Sequence, residues 1–261
     1  MAGAKGRMGR RILELTAAAE DIGIGSAFDL PESAGEEIAV GLESGSSEVL
    51  RLASDAAAAI AQADVLIDFT VADVCLDHVR ASTEAGKPSV LGTTGLSDAQ
   101  KAELAQLAEK VAIVFAPNMS VGVNLLFKLT QEAASVLGLD YNVEITEIHH
   151  NQKVDSPSGT AARLGEIAAE ALGLDYGKDT AHGREGVVGK RPQREIGMHA
   201  LRGGDVAGEH TVAFIGQGER IELTHRAHNR DNFARGALIA ARFAVDAAPG
   251  LYDMQDVLDL K

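Results

Sequence analysis

The sequence predicts an α/β protein: a Rossmann-like parallel-sheet nucleotide domain plus an α+β domain with a mixed or antiparallel sheet. Three observations lead there. Over the first 120 residues, continuous apolar runs such as Val65-Leu66-Ile67-Asp68-Phe69 alternate with helical patterns, as strands buried on both faces do when helices flank the sheet. Between residues 180 and 229 the strand candidates alternate apolar with polar residues, the mark of a sheet with one face in solvent. A glycine-rich segment opens the chain and runs straight into a helical pattern.

Taken in order, Met8, Ile12, Leu15 and Ala19 mark one face of a first helix. Residues 22–29 read as a strand and 31–47, rich in Gly, Ser and Glu, as loop. Residues 49–52 suit a short strand, with Ser54 positioned to cap the alanine-rich helix that follows. The run 65–69 is a buried strand, 72–85 a helix stopped by Gly86, and 89–91 another strand. Ser97 and Gln100 have capping-box spacing for a helix to Lys110, and 111–115 is a further strand. Beyond Asn118 come a helix over 121–137 with Leu125, Leu129 and Val136 on one side, a strand over 143–149, and a helix over 160–172 ended by Gly173. Strands at 210–215 and 220–225 precede a last helix over 233–247. The organisation expected is a nucleotide domain of residues 1–120 and 230–261 around a second domain of 121–229.

With 261 residues the chain is long enough for one large domain or two small ones, at about 150 residues each. The formal charge of −14 repels phosphate backbones and anionic lipid, so neither nucleic acid nor a membrane surface is an expected partner. Cys75 is the single cysteine, which excludes an intrachain disulfide and a thiolate metal cluster and suits a cytoplasmic location.

Gly3-Ala4-Lys5-Gly6-Arg7-Met8-Gly9 has the G-x-x-G-x-x-G form that lets a backbone approach a pyrophosphate at a helix N-terminus. Asp29 lies 20 residues past Gly9, where an acid binds ribose hydroxyls; the alternative is a solvated loop acid. Only Met1 and Ala2 precede Gly3, so the apolar first strand that this pattern requires is expected to be missing at the N-terminus.

A second informative segment is His149-His150-Asn151-Gln152-Lys153, followed by Ser158-Gly159-Thr160. Two imidazoles and an ammonium at a strand end can protonate and neutralise an acidic substrate, and the start of the next helix offers a cradle for a carboxylate. The bland reading is that one histidine is buried and Ser158 is an ordinary N-cap. Further ligands for a metal are not evident, and none is expected.

Together with Asp68-Phe69-Thr70, Gly92-Thr93-Thr94-Gly95, the stretch 116–124 and the tail 250–258, these motifs resemble the 4-hydroxy-tetrahydrodipicolinate reductase (dihydrodipicolinate reductase) family. The resemblance implies NADH or NADPH as cofactor, a small dicarboxylate substrate, lysine and diaminopimelate biosynthesis, and a homotetramer assembled through the second domain. It implies His149 as acid/base and Lys153 as proton donor and carboxylate contact, with His150, Ser158, Gly159 and Thr160 around the substrate. It places Gly3, Ala4, Lys5, Gly6, Arg7 and Met8 at the pyrophosphate and Asp29 at the ribose. Gly92, Thr93, Thr94, Ala116, Pro117, Asn118 and Met119 fall near the nicotinamide. Leu30 stands where an arginine for the 2′-phosphate of NADPH is often found, which favours NADH unless Lys5 or Arg7 compensates. Another two-domain nicotinamide dehydrogenase and a non-catalytic dinucleotide sensor are the alternatives.

Overall fold

The glycine-rich start turns into α1 (Arg7–Ala17), which buries Ile12 and Leu15; the apolar repeat selects this face. The computed structural model describes residues 1–41 and 47–261. Met1 and Ala2 stand where the glycine pattern wants its first strand. The Ala2 amide donates to the Ile67 carbonyl at 2.9 Å and the Phe28 amide to the Met1 carbonyl at 3.0 Å. Parallel bridges link Ala2 to Phe28 and to Asp68. The first strand is thus present as one bridged residue. Residues 22–29, expected as a strand, contribute only the bridge at Phe28.

The stretch 31–47 is not all loop. It contains β1 (Glu37–Val40), paired antiparallel with β2 (Glu48–Arg51); residues 42–46 of that stretch lie outside the described residues. Ile38 and Val40 point inward and Glu37 and Ala39 outward, an alternation too short to stand out among polar neighbours. The next helix, α2 (Ala56–Ala61), is capped by Asp55 rather than Ser54: the carboxylate accepts from Ala58 N at 3.1 Å. Then come β3 (Leu66–Asp68), α3 (Ala72–Glu84), β4 (Ser89–Leu91), α4 (Asp98–Leu107) and β5 (Ala112–Phe115). β3 and β4 are buried throughout and pair in parallel, as do β4 and β5. Ser97 and Gln100 form the expected capping box on α4.

The second unit, Gly122–Asn229, takes in nearly all of α5 (Val121–Leu137). Leu125, Leu129 and Val136 do not face a core; Val136 is 81% exposed. Val123, Leu126 and Ala134 are buried instead, and a helix apolar on most sides leaves periodicity unable to choose between faces. β6 (Asn142–His149), α6 (Gly159–Leu172), β7 (Thr180–His182), β8 (Ile196–Arg202), β9 (Glu209–Ile215) and β10 (Arg220–Arg226) follow. They form a mixed sheet in the order β10-β9-β6-β8-β7, parallel at β6/β8 and β7/β8 and antiparallel at β6/β9 and β9/β10. Its inner face packs Val143, Ile145, Ile196, Met198, Val212 and Phe214 with Leu164 and Ala168 of α6. On the outer face Glu144 accepts from Arg184, Arg191 and His199. Burial alone would raise this carboxyl; the hydrogen bonds from Arg184, Arg191 and His199 hold it down to about 2.

The chain then returns to the first unit (Met1–Val121 with Arg230–Lys261) through α7 (Asp231–Asp246), β11 (Gly250–Tyr252) and α8 (Met254–Val257). α7 packs its alanines on α1 and the sheet. β11 adds a fourth parallel strand beside β5, a strand of three residues behind Pro249 that the sequence reading stops short of.

Candidate active site

In the first unit, the loops expected to hold a dinucleotide all leave the C-terminal edge of the parallel sheet, where open α/β sheets bind ligands. The Gly3 loop follows Ala2, Gly92 follows β4 with its amide on the Asp68 carbonyl at 3.0 Å, and Ala116 follows β5 with its amide on the Leu91 carbonyl at 3.1 Å. Thr94 and Pro117 are exposed, whereas Thr93, Ala116 and Met119 are buried. The Asn118 side chain accepts from Ser120 N at 2.9 Å and shapes that loop. A Cβ on Gly9 would stand 2.0 Å from the Gly3 carbonyl, so only glycine lets α1 begin this close to the loop. Gly6 caps α1 with no side chain on its first amides, leaving them available to an anion.

Asp29 closes this loop. Its Oδ2 accepts from Lys5 N at 2.7 Å and its Oδ1 from Leu30 N at 2.9 Å. The Lys5 ammonium is engaged by Ser33 Oγ at 3.0 Å and Glu36 at 2.8 Å. These residues fit a dinucleotide: a close backbone turn, uncapped helix amides, and an acid fixed by the loop it serves.

Asp68 is fully buried at the end of β3, and the resemblance gives it no role. It accepts from Thr70 N and Thr70 Oγ at 2.8 and 2.6 Å and from Thr93 Oγ at 2.9 Å, and lies 2.7 Å from His78 Nδ1. One carboxylate thus ties the Thr70 turn to the expected cofactor loop at Gly92–Thr94. Burial pushes it up, but His78 and Thr70 hold it below the usual carboxylate range.

In the second unit, His149 ends β6, and the turn to α6 carries His150 and Lys153. The turn is laced to the loop after β8: His150 N donates to the Val206 carbonyl at 2.8 Å, Asn151 N to Gly204 at 3.2 Å, and Gly203 N to His149 at 2.9 Å. Lys153 Nζ sits 2.8 Å from Asp155. His150 Nδ1 is buried and has no hydrogen-bond partner among the described residues. Ser158 is the N-cap of α6, accepting from Ala161 N at 3.1 Å, and its Oγ lies 3.0 Å from His210 Nε2. Gly159 is exposed and Thr160 half-buried in the first turn.

Glu147, Arg202, His210 and Gly208 complete this cluster, and the sequence reading gave none of them a role. Glu147 is wholly buried; its Oε2 lies 2.6 Å from His149 Nδ1 and its Oε1 accepts from Ser158 N at 3.0 Å. Arg202 donates to both oxygens at 2.8 Å. His210 packs its ring edge-on to His149, with centroids 5.2 Å apart and the ring planes at 74°. A Cβ on Gly208 would stand 3.0 Å from His149 Nε2, so glycine keeps that nitrogen clear. Burial lowers the His149 pKa, aided by the charges of Lys153 and Arg202, while Glu147 pulls the other way. Burial drives His210 down to about 3, so it stays neutral at ordinary pH.

The chain can now be set beside known proteins. A dihydrodipicolinate reductase N-terminal family model matches residues 1–119 and the C-terminal model residues 122–258. The chain belongs to the dihydrodipicolinate reductase family. It is an oxidoreductase, and enzymes of this family use a nicotinamide cofactor. A 4-hydroxy-tetrahydrodipicolinate reductase of Syntrophotalea carbinolica is 50% identical over 261 residues, covering 99% of this chain and 97% of that one. One from Anaeromyxobacter sp. is 50% identical over 260 residues, covering 99% and 96%. The fold matches a dipicolinate-bound dihydrodipicolinate reductase from Paenisporosarcina sp. TG-14 with a TM-score of 0.77 at 23% identity, over 98% of this chain and 96% of that one. The Rossmann-like sheet and the mixed sheet of this family member are both as the sequence predicts. No described helix is long and apolar enough to cross a membrane.

Proposed function

We propose that this reductase converts 4-hydroxy-tetrahydrodipicolinate to tetrahydrodipicolinate in diaminopimelate and lysine biosynthesis, with His149 as acid/base and Lys153 as proton donor and carboxylate contact. The observation that carries this reading is an imidazole at the end of β6 followed by an ammonium on the turn that leads to α6, in a chain half identical to reductases of that name. Lys153 and the protonated form of His149 offset negative charge that builds on the ring during reduction. Gly159 and Thr160 at the start of α6, with His150 nearby, hold a carboxylate; Ser158 shapes this cradle through its cap. The reduced nicotinamide, when bound, supplies the hydride. The Gly3–Met8 loop and Asp29 hold the dinucleotide, while Gly92 to Thr94 and Ala116 to Met119 orient it. The test is NADH oxidation in the presence of the condensation product of pyruvate and aspartate semialdehyde. Loss of NADH absorbance is expected, and an unchanged trace with both dinucleotides rejects the reading.

For the cofactor, the reading is dual use with NADH at least as good as NADPH. Asp29 repels a 2′-phosphate, Leu30 offers it nothing, and Glu36 occupies Lys5. Glu36→Gln therefore frees a cation and is expected to raise kcat/KM for NADPH about fivefold against NADH, the scale of roughly 1 kcal/mol for an exposed pair. An unchanged ratio of the two efficiencies removes Lys5 from the account.

The homotetramer would form through the outer face of the second unit's sheet. Leu201 and Ile215 are 47% and 38% exposed there, on the face that also carries the Thr211–Thr224 hydroxyl pair. Sedimentation should give a mass near four chains of 27.2 kDa; a monomer contradicts this. A reductive biosynthetic role fits the cytoplasm, as does the lone thiol of Cys75, which burial pushes up to about 12 and so keeps unreactive.

A further inference from the structure

We propose that Glu147 is the positioning residue for His149, and that Arg202 is the cation that keeps Glu147 ionised for this purpose. The inference rests on the reading of His149 as the acid/base. It starts from an oddity of β6. Val143, Ile145, Glu147 and His149 share the inner face, and the first two are core residues. Glu147 continues that row with 0% exposure. A carboxylate there is costly to bury, and an apolar residue of similar size would serve the packing as well or better. Structural need alone does not account for it.

The geometry does. Oε2 is shared by His149 Nδ1 at 2.6 Å and an Arg202 guanidinium nitrogen at 2.8 Å. Oε1 is shared by Ser158 N at 3.0 Å and the second guanidinium nitrogen at 2.8 Å. With four donors around two oxygens, the carboxylate has one orientation. An ionised carboxylate only accepts, so Nδ1 of His149 must carry the hydrogen and Nε2 must carry the lone pair. Nε2 faces Gly208, which has no side chain to obstruct it. Arg202 also donates to the Asp155 carbonyl at 2.8 Å, holding the turn that carries Lys153. The same fork thus fixes the imidazole, the cap of α6 and the lysine turn.

The proton inventory is simple. When His149 accepts a proton at Nε2, the Nδ1 hydrogen stays in place and the imidazolium faces a fixed negative charge. When Nε2 gives the proton back, the same tautomer is restored. Glu147 never takes the proton itself, because Arg202 holds both of its oxygens.

The experiment is a nitrogen NMR titration of His149 in the full chain, assigned with His149→Gln, alongside pH–rate profiles of the wild type, Glu147→Gln and Glu147→Asp. The wild-type imidazole is expected as the Nδ1–H tautomer. Glu147→Gln removes the charge, so the His149 pKa should fall by about one unit or more and the rate limb it controls should move to lower pH. Its kcat should drop about 100-fold with the KM for NADH unchanged, and Glu147→Asp should recover part of the loss. A purely packing role would move the melting temperature without moving the tautomer or the pH profile. Finding the Nε2–H tautomer in the wild type overturns the proposal without any variant, which covers the case of Glu147→Gln failing to fold. If Glu147→Gln keeps the wild-type profile and a kcat within twofold while His149→Ala is inactive, the positioning role falls and the acid/base reading stands. If His149→Ala keeps full turnover, the acid/base reading falls and takes the positioning role with it.

Discussion

Lys153→Ala is expected to lower kcat by about 100-fold or more, the scale of losing a positioned proton donor. Three features make the effect specific. The Lys153 side chain is 19% exposed, and its ammonium rests 2.8 Å from Asp155, whose side chain is 55% exposed. Such a pair stabilises a fold little, because the Asp155 carboxylate stays open to solvent. The thermal midpoint of the variant should therefore match the wild type within a few degrees. The charge is also fixed in place, because Lys153 N donates to the His150 carbonyl at 3.2 Å and the turn is pinned to the loop after β8. A bound carboxylate would compete with Asp155 for the ammonium, so the KM for the dicarboxylate should rise as well as kcat falling. The affinity for NADH should not change, since the dinucleotide loops belong to the other unit. Lys153→Arg should rescue little, because a planar guanidinium cannot place its charge or its proton as an ammonium does. Steady-state kinetics with a parallel NADH titration reads all of this. Turnover within threefold of wild type would remove Lys153 from the chemistry.

Much of this architecture was legible because its signals are local. β3 and β4 are continuous apolar runs buried on both faces, and Ser97 with Gln100 announces the start of α4 within four residues. Gly173 ends α6 at φ 64°, as its position past the last apolar repeat implies. The stretch from His149 to Thr160 stood out for the same reason: its polar side chains lie within twelve successive residues. Arg202 was not. It reaches Glu147 because β6 and β8 pair in parallel with His149 opposite Arg202, and no sequence pattern states that register. Nor was His210, which lies beside His149 because β9 pairs with β6 and sets His210 opposite Glu147. Glu147 itself left a trace, an acid at the third place of an inward-facing row that begins Val143 and Ile145. The same limit applied to α5, where apolar residues on most sides hid which ones are buried.

Arg202→Ala should destabilise the second unit by about 3–5 kcal/mol, the usual cost of orphaning one member of a buried ion pair. The variant keeps a wholly buried carboxylate at Glu147 and strips both oxygens of their guanidinium donors. It also frees the Leu201 and Asp155 carbonyls. The pH dependence carries the sign of the effect. In the wild type burial pushes the Glu147 carboxyl up, but Arg202, His149 and Ser158 N outweigh it and hold the folded pKa below the usual value. The corresponding stability is present above the unfolded pKa and is lost as pH falls through the folded one. Without Arg202, burial dominates and the folded pKa rises above the unfolded value. The variant's penalty is then absent below the unfolded pKa and grows as pH rises toward the folded one. The gap between wild type and variant in urea unfolding should thus be largest near neutrality and should narrow below about pH 4.5, the ordinary glutamate range. Adding Glu147→Gln to Arg202→Ala removes the orphaned charge, and the double variant should be more stable than Arg202→Ala alone while remaining catalytically poor. That non-additivity separates an electrostatic fork from general packing. If the two substitutions simply add, or if the gap is the same at pH 4 and pH 8, the guanidinium is not what makes the buried carboxylate tolerable.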